Sequence, residues 1–77
     1  MRKYTQKALR ELVRLGAAEN ITNYNFDQMK EFLHGHSLDK IGYSSGVYGA
    51  NGCLLQDTQT GTLYAITARN TALAMAF

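Results

Sequence analysis

Four of the seven glycines and two of the five tyrosines fall within the stretch Gly42-Tyr43-Ser44-Ser45-Gly46-Val47-Tyr48-Gly49-Ala50-Asn51-Gly52-Cys53. Glycine reaches backbone conformations that other residues resist and lets a neighbouring chain or ligand approach closely. Apolar residues recur with a helical period before this stretch and alternate after Leu38. The glycines therefore mark where a helical half gives way to a β half. They also collect hydroxyls, aromatic rings and exposed backbone N–H groups, the materials of a site.

The 77 residues read as a single small α+β domain spanning 1–77. A domain this small buries little core, and small chains compensate with disulfides, a metal or association. Cys53 is the only cysteine, so an internal disulfide is excluded. One cysteine and two histidines are a poor zinc set. Association remains, and a homo-oligomer is the expectation. Charged residues make up only 18% of the chain, which also favours association. No apolar run is long enough to cross a bilayer, and no continuous apolar segment follows the basic N-terminus, so a cytosolic protein is expected.

Thr5 is placed to cap a first helix that runs to about Leu15, with Gly16 just beyond its end. Ala8, Leu9, Leu12, Val13 and Leu15 share one side of it. Lys3, Lys7, Arg10 and Arg14 share the other, and residues 1–14 carry a net charge of +4. A basic helix face suits nucleic acid or another polyanion. The plainer alternative is a solvated outer face.

Residues 17–23 read as a connection, with a short extended piece at 20–22. Asn25, with Gln28 three positions on, fits a capping box for a second helix from Phe26 to His34. Phe26, Met29, Phe32 and Leu33 form its apolar face, and Gly35 ends it. His34 and His36 invite a metal reading with Asp39 or Cys53, but two histidines beside a helix C-terminus need no metal.

The alternation predicts four strands: Leu38–Ser45, Cys53–Asp57, Thr62–Ala68 and Thr71–Phe77. Asn51-Gly52 is a strong hairpin pair, and Thr60-Gly61 marks a second turn. The expected fold is two N-terminal helices packed on one face of a four-stranded antiparallel β-meander. The third strand has no charged side, which suggests that a second copy covers the other sheet face.

The segments Ile41–Gly52 and Thr62–Asn70, together with the opening Arg2-Lys3-Tyr4-Thr5, resemble a set of short proteins carried by phages and mobile elements of gut Firmicutes. The resemblance implies a context: an accessory factor acting on host pathways, immunity included.

An enzyme is the weaker functional reading. Cys53 leads into an apolar strand, where an inert thiol is the common state. No paired carboxylates, metal set or phosphate-binding loop accompany it. A binding module fits better. Tyr43 and Tyr48 offer flat walls. Ser44, Ser45, Asn51, Thr67, Asn70 and Thr71 offer neutral hydrogen bonds, and Gly46 and Gly49 offer backbone N–H groups. Arg69, the only arginine beyond the first helix, offers a planar fork for phosphate. The expected ligand is a small anionic nucleotide, held without cofactor, metal or catalysis. The alternative reading of the glycines and tyrosines is a bend in a small sheet and ordinary packing. Two further readings stand beside these: an inhibitor that covers a host defence protein such as a CRISPR nuclease, and a nucleic-acid module using Lys3, Lys7, Arg10 and Arg14.

Overall fold

The computed structural model describes residues 2–46, 49–70 and 72, of which 45–46 and 49–51 by their backbone. Its elements are β1 (Arg2–Lys3), α1 (Gln6–Arg14), β2 (Glu19–Asn20), α2 (Phe26–Gly35), β3 (Leu38–Gly46), β4 (Gly49–Asp57) and β5 (Leu63–Ile66).

Both helices begin as their sequences dictate. The Thr5 side chain accepts from the Ala8 N–H at 3.0 Å. Asn25 and Gln28 form a reciprocal capping box, at 2.9 and 3.0 Å. Such caps satisfy backbone donors that have no partner inside the helix. Beyond α1, Gly16 takes φ +76°, the left-handed geometry that closes a helix.

The sheet is not a four-stranded antiparallel meander. It has five strands in the order β1-β3-β4-β5-β2 and is mixed. β4 is antiparallel to β3 and β5, while β1 pairs parallel with β3 and β2 pairs parallel with β5. The two added strands are two residues each and polar, Arg2-Lys3 and Glu19-Asn20. A strand that short has no alternation to read. Both lie at sheet edges, where short charged strands discourage pairing with other chains. The expected fourth strand, Thr71–Phe77, lies outside the described residues apart from Ala72, which is buried.

This order changes where the helices sit. β1 and β2 are parallel strands on opposite edges, so α1 crosses the whole sheet. α2 then returns from β2 to β3. Crossovers between parallel strands share one hand with few exceptions. Two crossovers of one hand that run in opposite directions must use opposite faces. The packing agrees. Leu9 of α1 meets Leu54 and Ala65, with Leu12, Val13 and Ile41 around them. Met29 of α2 meets Cys53, Leu55, Tyr64 and Ile66, with Phe32 and Leu33 alongside. Neighbouring strand residues thus feed different cores, and each face of the sheet carries its own helix. The apolar character of both faces is satisfied within one chain.

Asn51-Gly52 is not the hairpin turn. Ser44 pairs with Gly52 and Ser45 with Ala50, leaving Asn51 as the extra residue of a bulge in β4. The reversal falls between Gly46 and Gly49, the last pair of the ladder. Gly52 is required there by crowding: a Cβ would stand 2.2 Å from the Ile66 carbonyl oxygen. A second bulge, at Ile41 in β3, opposes Leu54. Phe26, expected in the core, is 40% exposed at the first turn of α2.

Candidate functional site

β1, β2, β3 and β5 all run the same way, so their carboxyl ends gather at one end of the sheet. In open sheets with crossover helices, ligands favour the crevice beyond those ends. Tyr43, Ser44, Ser45 and Gly46 of β3, Gly49 and Asn51 of β4, and Thr67, Arg69 and Asn70 after β5 are all at this end. Tyr48 and Thr71 lie outside the described residues.

Tyr43 and Ser44 fall on opposite faces of the sheet. Tyr43 pairs with Cys53, which pairs with Ile66, and that row faces α2. Ser44 pairs with Gly52 on the opposite face; it is 1% exposed, and among the described residues its Oγ has no hydrogen-bond partner. A crevice of about 400 Å³ at this end is lined by residues 22–26 together with Arg69, Asn70 and Ala72. Tyr43 and Ser44 are not part of its wall.

The loop is pinned by the residues that follow β5. The Thr67 N–H donates to Thr22 Oγ1 at 2.9 Å, and the two threonine hydroxyls meet at 3.1 Å. Asn70 Nδ2 donates to the carbonyls of Thr22 and Tyr24, at 2.7 and 3.1 Å. Asn20 Oδ1 accepts from the Thr22 N–H at 3.0 Å. Thr67 and Asn70, expected to touch a ligand, thus shape the wall that a ligand would touch. Arg69 is exposed between them and makes no ion pair among the described residues.

Tyr24 and Phe26 are the aromatic residues of this lining. From the sequence Tyr24 has no assigned role, and Phe26 belongs to the apolar face of the second helix. The available signal was the run Asn23-Tyr24-Asn25-Phe26, in which two aromatics alternate with polar residues just where a helix is being capped.

A second cavity, about 420 Å³, runs along α2 between Tyr24, Gln28, Glu31, Phe32, Gly35 and His36. Its floor is a set of packed rings. Phe32 meets Tyr24 at 5.8 Å and His36 at 4.6 Å between centroids, and the buried Tyr64, outside the lining, packs on it at 4.7 Å. Burial raises the Tyr64 hydroxyl above its ordinary value, so it stays protonated.

The remaining sequence candidates resolve individually. His36 turns to Asp57, not to Asp39 or Cys53, and among the described residues no three His, Cys, Asp or Glu side chains gather as a metal site. Cys53 is 2% exposed, and burial pushes its thiol up against a smaller downward pull from Lys40. A buried thiol held protonated is a poor nucleophile. On α1, Lys7 and Arg10 are exposed, while Arg14 folds back on Glu11, its Nε 3.0 Å from each carboxylate oxygen. Lys3 is exposed on the edge strand β1, and the Arg2 guanidinium lies over the Tyr4 ring at 5.2 Å. Among the described residues no helix is long and apolar enough to cross a membrane. No protein-family model matches the chain, and neither does any curated protein or solved structure.

Proposed function

We propose that this chain is a non-catalytic binding module that captures a small phosphorylated, nucleotide-type ligand in the crevice beside Arg69. The observation that carries the reading is the pairing of a free cationic fork with a wall already held in place. Arg69 has no ion pair among the described residues, and the facing loop is fixed by Thr67 and Asn70. A wall ordered before binding costs little ordering entropy when the ligand arrives. The exposed ring of Phe26 and the half-buried ring of Tyr24 give a planar group a surface to lie on.

The likeness to phage and mobile-element proteins gives such capture a use. A protein that holds a nucleotide signal without converting it would act as a sponge against a host defence in the cytosol. Copies of the chain associate in this reading. Because each sheet face is already covered by a helix, they meet through other surfaces than the one first expected.

Calorimetry against mono-, di- and cyclic nucleotides tests the proposal. A charge-assisted phosphate contact contributes about 1.5–3 kcal/mol, so Arg69→Ala should weaken binding roughly ten- to hundredfold. Arg69→Lys should recover only part, because an ammonium cannot reproduce the fork. If no anionic nucleotide binds the wild type more tightly than about millimolar, weaker than about −4 kcal/mol, the reading fails and a protein-binding inhibitor takes its place.

A further inference from the structure

Tyr24 lines both cavities. The crevice at Arg69 and the ring-floored cavity along α2 therefore adjoin across one side chain. From Phe26 in the first to Glu31 in the second is five residues of helix, about 7.5 Å along its axis at 1.5 Å per residue. That is within the span of one nucleoside monophosphate. Resting on the reading that Arg69 receives a phosphate, we infer that the second cavity takes the ring of the same ligand, and that the ring is a guanine-type base.

The argument comes from what the rim can offer. Phe32, His36 and Tyr24 line the cavity with rings tilted 40° and 82° to one another, aromatic walls that accept any base. The polar rim is Gln28 and Glu31. Gln28 Oε1 already accepts from the Asn25 N–H at 3.0 Å in the capping box. Its amide therefore has only its N–H donors left for a ligand at this rim. The Glu31 carboxylate accepts only. The rim thus presents donors followed by an acceptor pair one turn of helix along. The Watson–Crick edge of guanine is complementary: O6 accepts, and N1–H and N2–H donate side by side. Adenine presents one donor beside a bare ring nitrogen, which would face Glu31 with its lone pair. A site built to receive two donors rejects an analogue that lacks one.

The test is calorimetry on the full chain with guanosine monophosphate, adenosine monophosphate and inorganic phosphate as the probes. The guanine nucleotide should bind at least about tenfold more tightly than the adenine nucleotide. Glu31→Gln should erase that preference from both sides, weakening the guanine nucleotide and strengthening the adenine nucleotide as the lone-pair repulsion is relieved, and Arg69→Ala should weaken both nucleotides alike. Glu31 is exposed, so its variant should keep the wild-type circular dichroism spectrum and melting temperature. Equal, Arg69-dependent binding of both nucleotides would overturn the base assignment and leave the anion site standing. So would inorganic phosphate binding as tightly as the guanine nucleotide. If none of the three probes binds, both readings are overturned.

Discussion

His36 Nδ1 stands 3.0 Å from Asp57 Oδ2 and ties the end of α2 to the end of β4. Asp57 is 5% exposed, and its other oxygen accepts from the N–H groups of Gln59 and Thr60, at 2.8 and 3.1 Å. One carboxylate therefore organises both the β4–β5 turn and the helix end beside it. An ionised carboxylate only accepts, so the imidazole nitrogen facing it carries the hydrogen.

That arrangement predicts acid sensitivity. The His36 hydrogen bond, then those from Gln59 and Thr60, hold the Asp57 carboxyl below the ordinary aspartate range. A group whose acidity is strengthened by folding stabilises the fold above its unfolded value and loses that contribution as pH falls. The loss should begin near pH ~4, the ordinary aspartate value, and deepen below it. Thermal melts from pH 6 to pH 2 should show Asp57→Asn less stable than wild type at pH 6, with the two curves converging in acid. A gap that stays constant across the range would sink this account.

Gly52 and Gly35 give a matched pair. A Cβ at Gly52 would meet the Ile66 carbonyl oxygen at 2.2 Å and Leu9 Cδ1 at 3.2 Å. The nearer atom is backbone and cannot swing aside. Overpacking of this kind typically costs about 1–3 kcal/mol, and Gly52→Ala should fall at or above the upper end. At Gly35 nothing lies within 4 Å of the added carbon, and the residue is the last of α2. Gly35→Ala should be neutral or stabilise by up to about 1 kcal/mol. Chemical denaturation of both variants reads the contrast, and similar effects at the two positions would contradict the close approach at Gly52.

How far the chain explains itself in advance differs by element. Thr5, Gly16, Asn25 and Gln28 announce both helices because capping is local, read within four residues. The Gly61 turn is legible for the same reason, with φ +78° where a left-handed residue is needed. Arg2-Lys3 is not legible as a strand, and Glu19-Asn20 only as the edge of an extended piece at 20–22, because parallel pairing to Gly42 and Tyr64 is decided by distant contacts. Missing them also misplaces the helices, since the edge-to-edge crossover is what puts α1 and α2 on opposite faces. Asn51-Gly52 misleads through a real preference overridden by context: the same pair that suits a tight turn also suits a bulge. For the site, Arg69 and Asn70 were legible as polar residues after a strand. Tyr24 and Phe26 were not, because their exposure depends on how the loop 22–26 is pinned.

Cys53 sits between Tyr43 and Ile66 in adjacent strands and belongs to the core beneath α2. Its thiol should react slowly with a thiol-specific reagent at neutral pH, at a rate that follows unfolding rather than local access. Cys53→Ser puts a hydroxyl where burial is nearly complete and should cost about 1–3 kcal/mol. Ligand capture by the folded fraction should be unchanged. Rapid labelling of folded protein, together with a folded but inactive serine variant, would instead make the thiol functional.

Asn70 decides whether the crevice is preformed. Its Nδ2 donates to two carbonyls of one loop, Thr22 and Tyr24, so this amide holds the Tyr24 end of a wall that Thr67 holds at Thr22. Removing the side chain leaves those carbonyls to find water and should cost about 1–2 kcal/mol, the sum of two modest hydrogen bonds. Asn70→Asp should be worse than Asn70→Ala, although it is nearer in shape. A carboxylate cannot donate, and it would set its charge against two carbonyl oxygens. Amide exchange should rise at Tyr24, whose N–H donates to Ile21 within the same loop, and stay unchanged in β4. Ligand affinity should fall in both variants although Arg69 is intact, because the cost of ordering the loop then falls on binding. If exchange and affinity in Asn70→Ala match wild type, the loop holds itself, and the crevice does not depend on the strand end that was taken to build it.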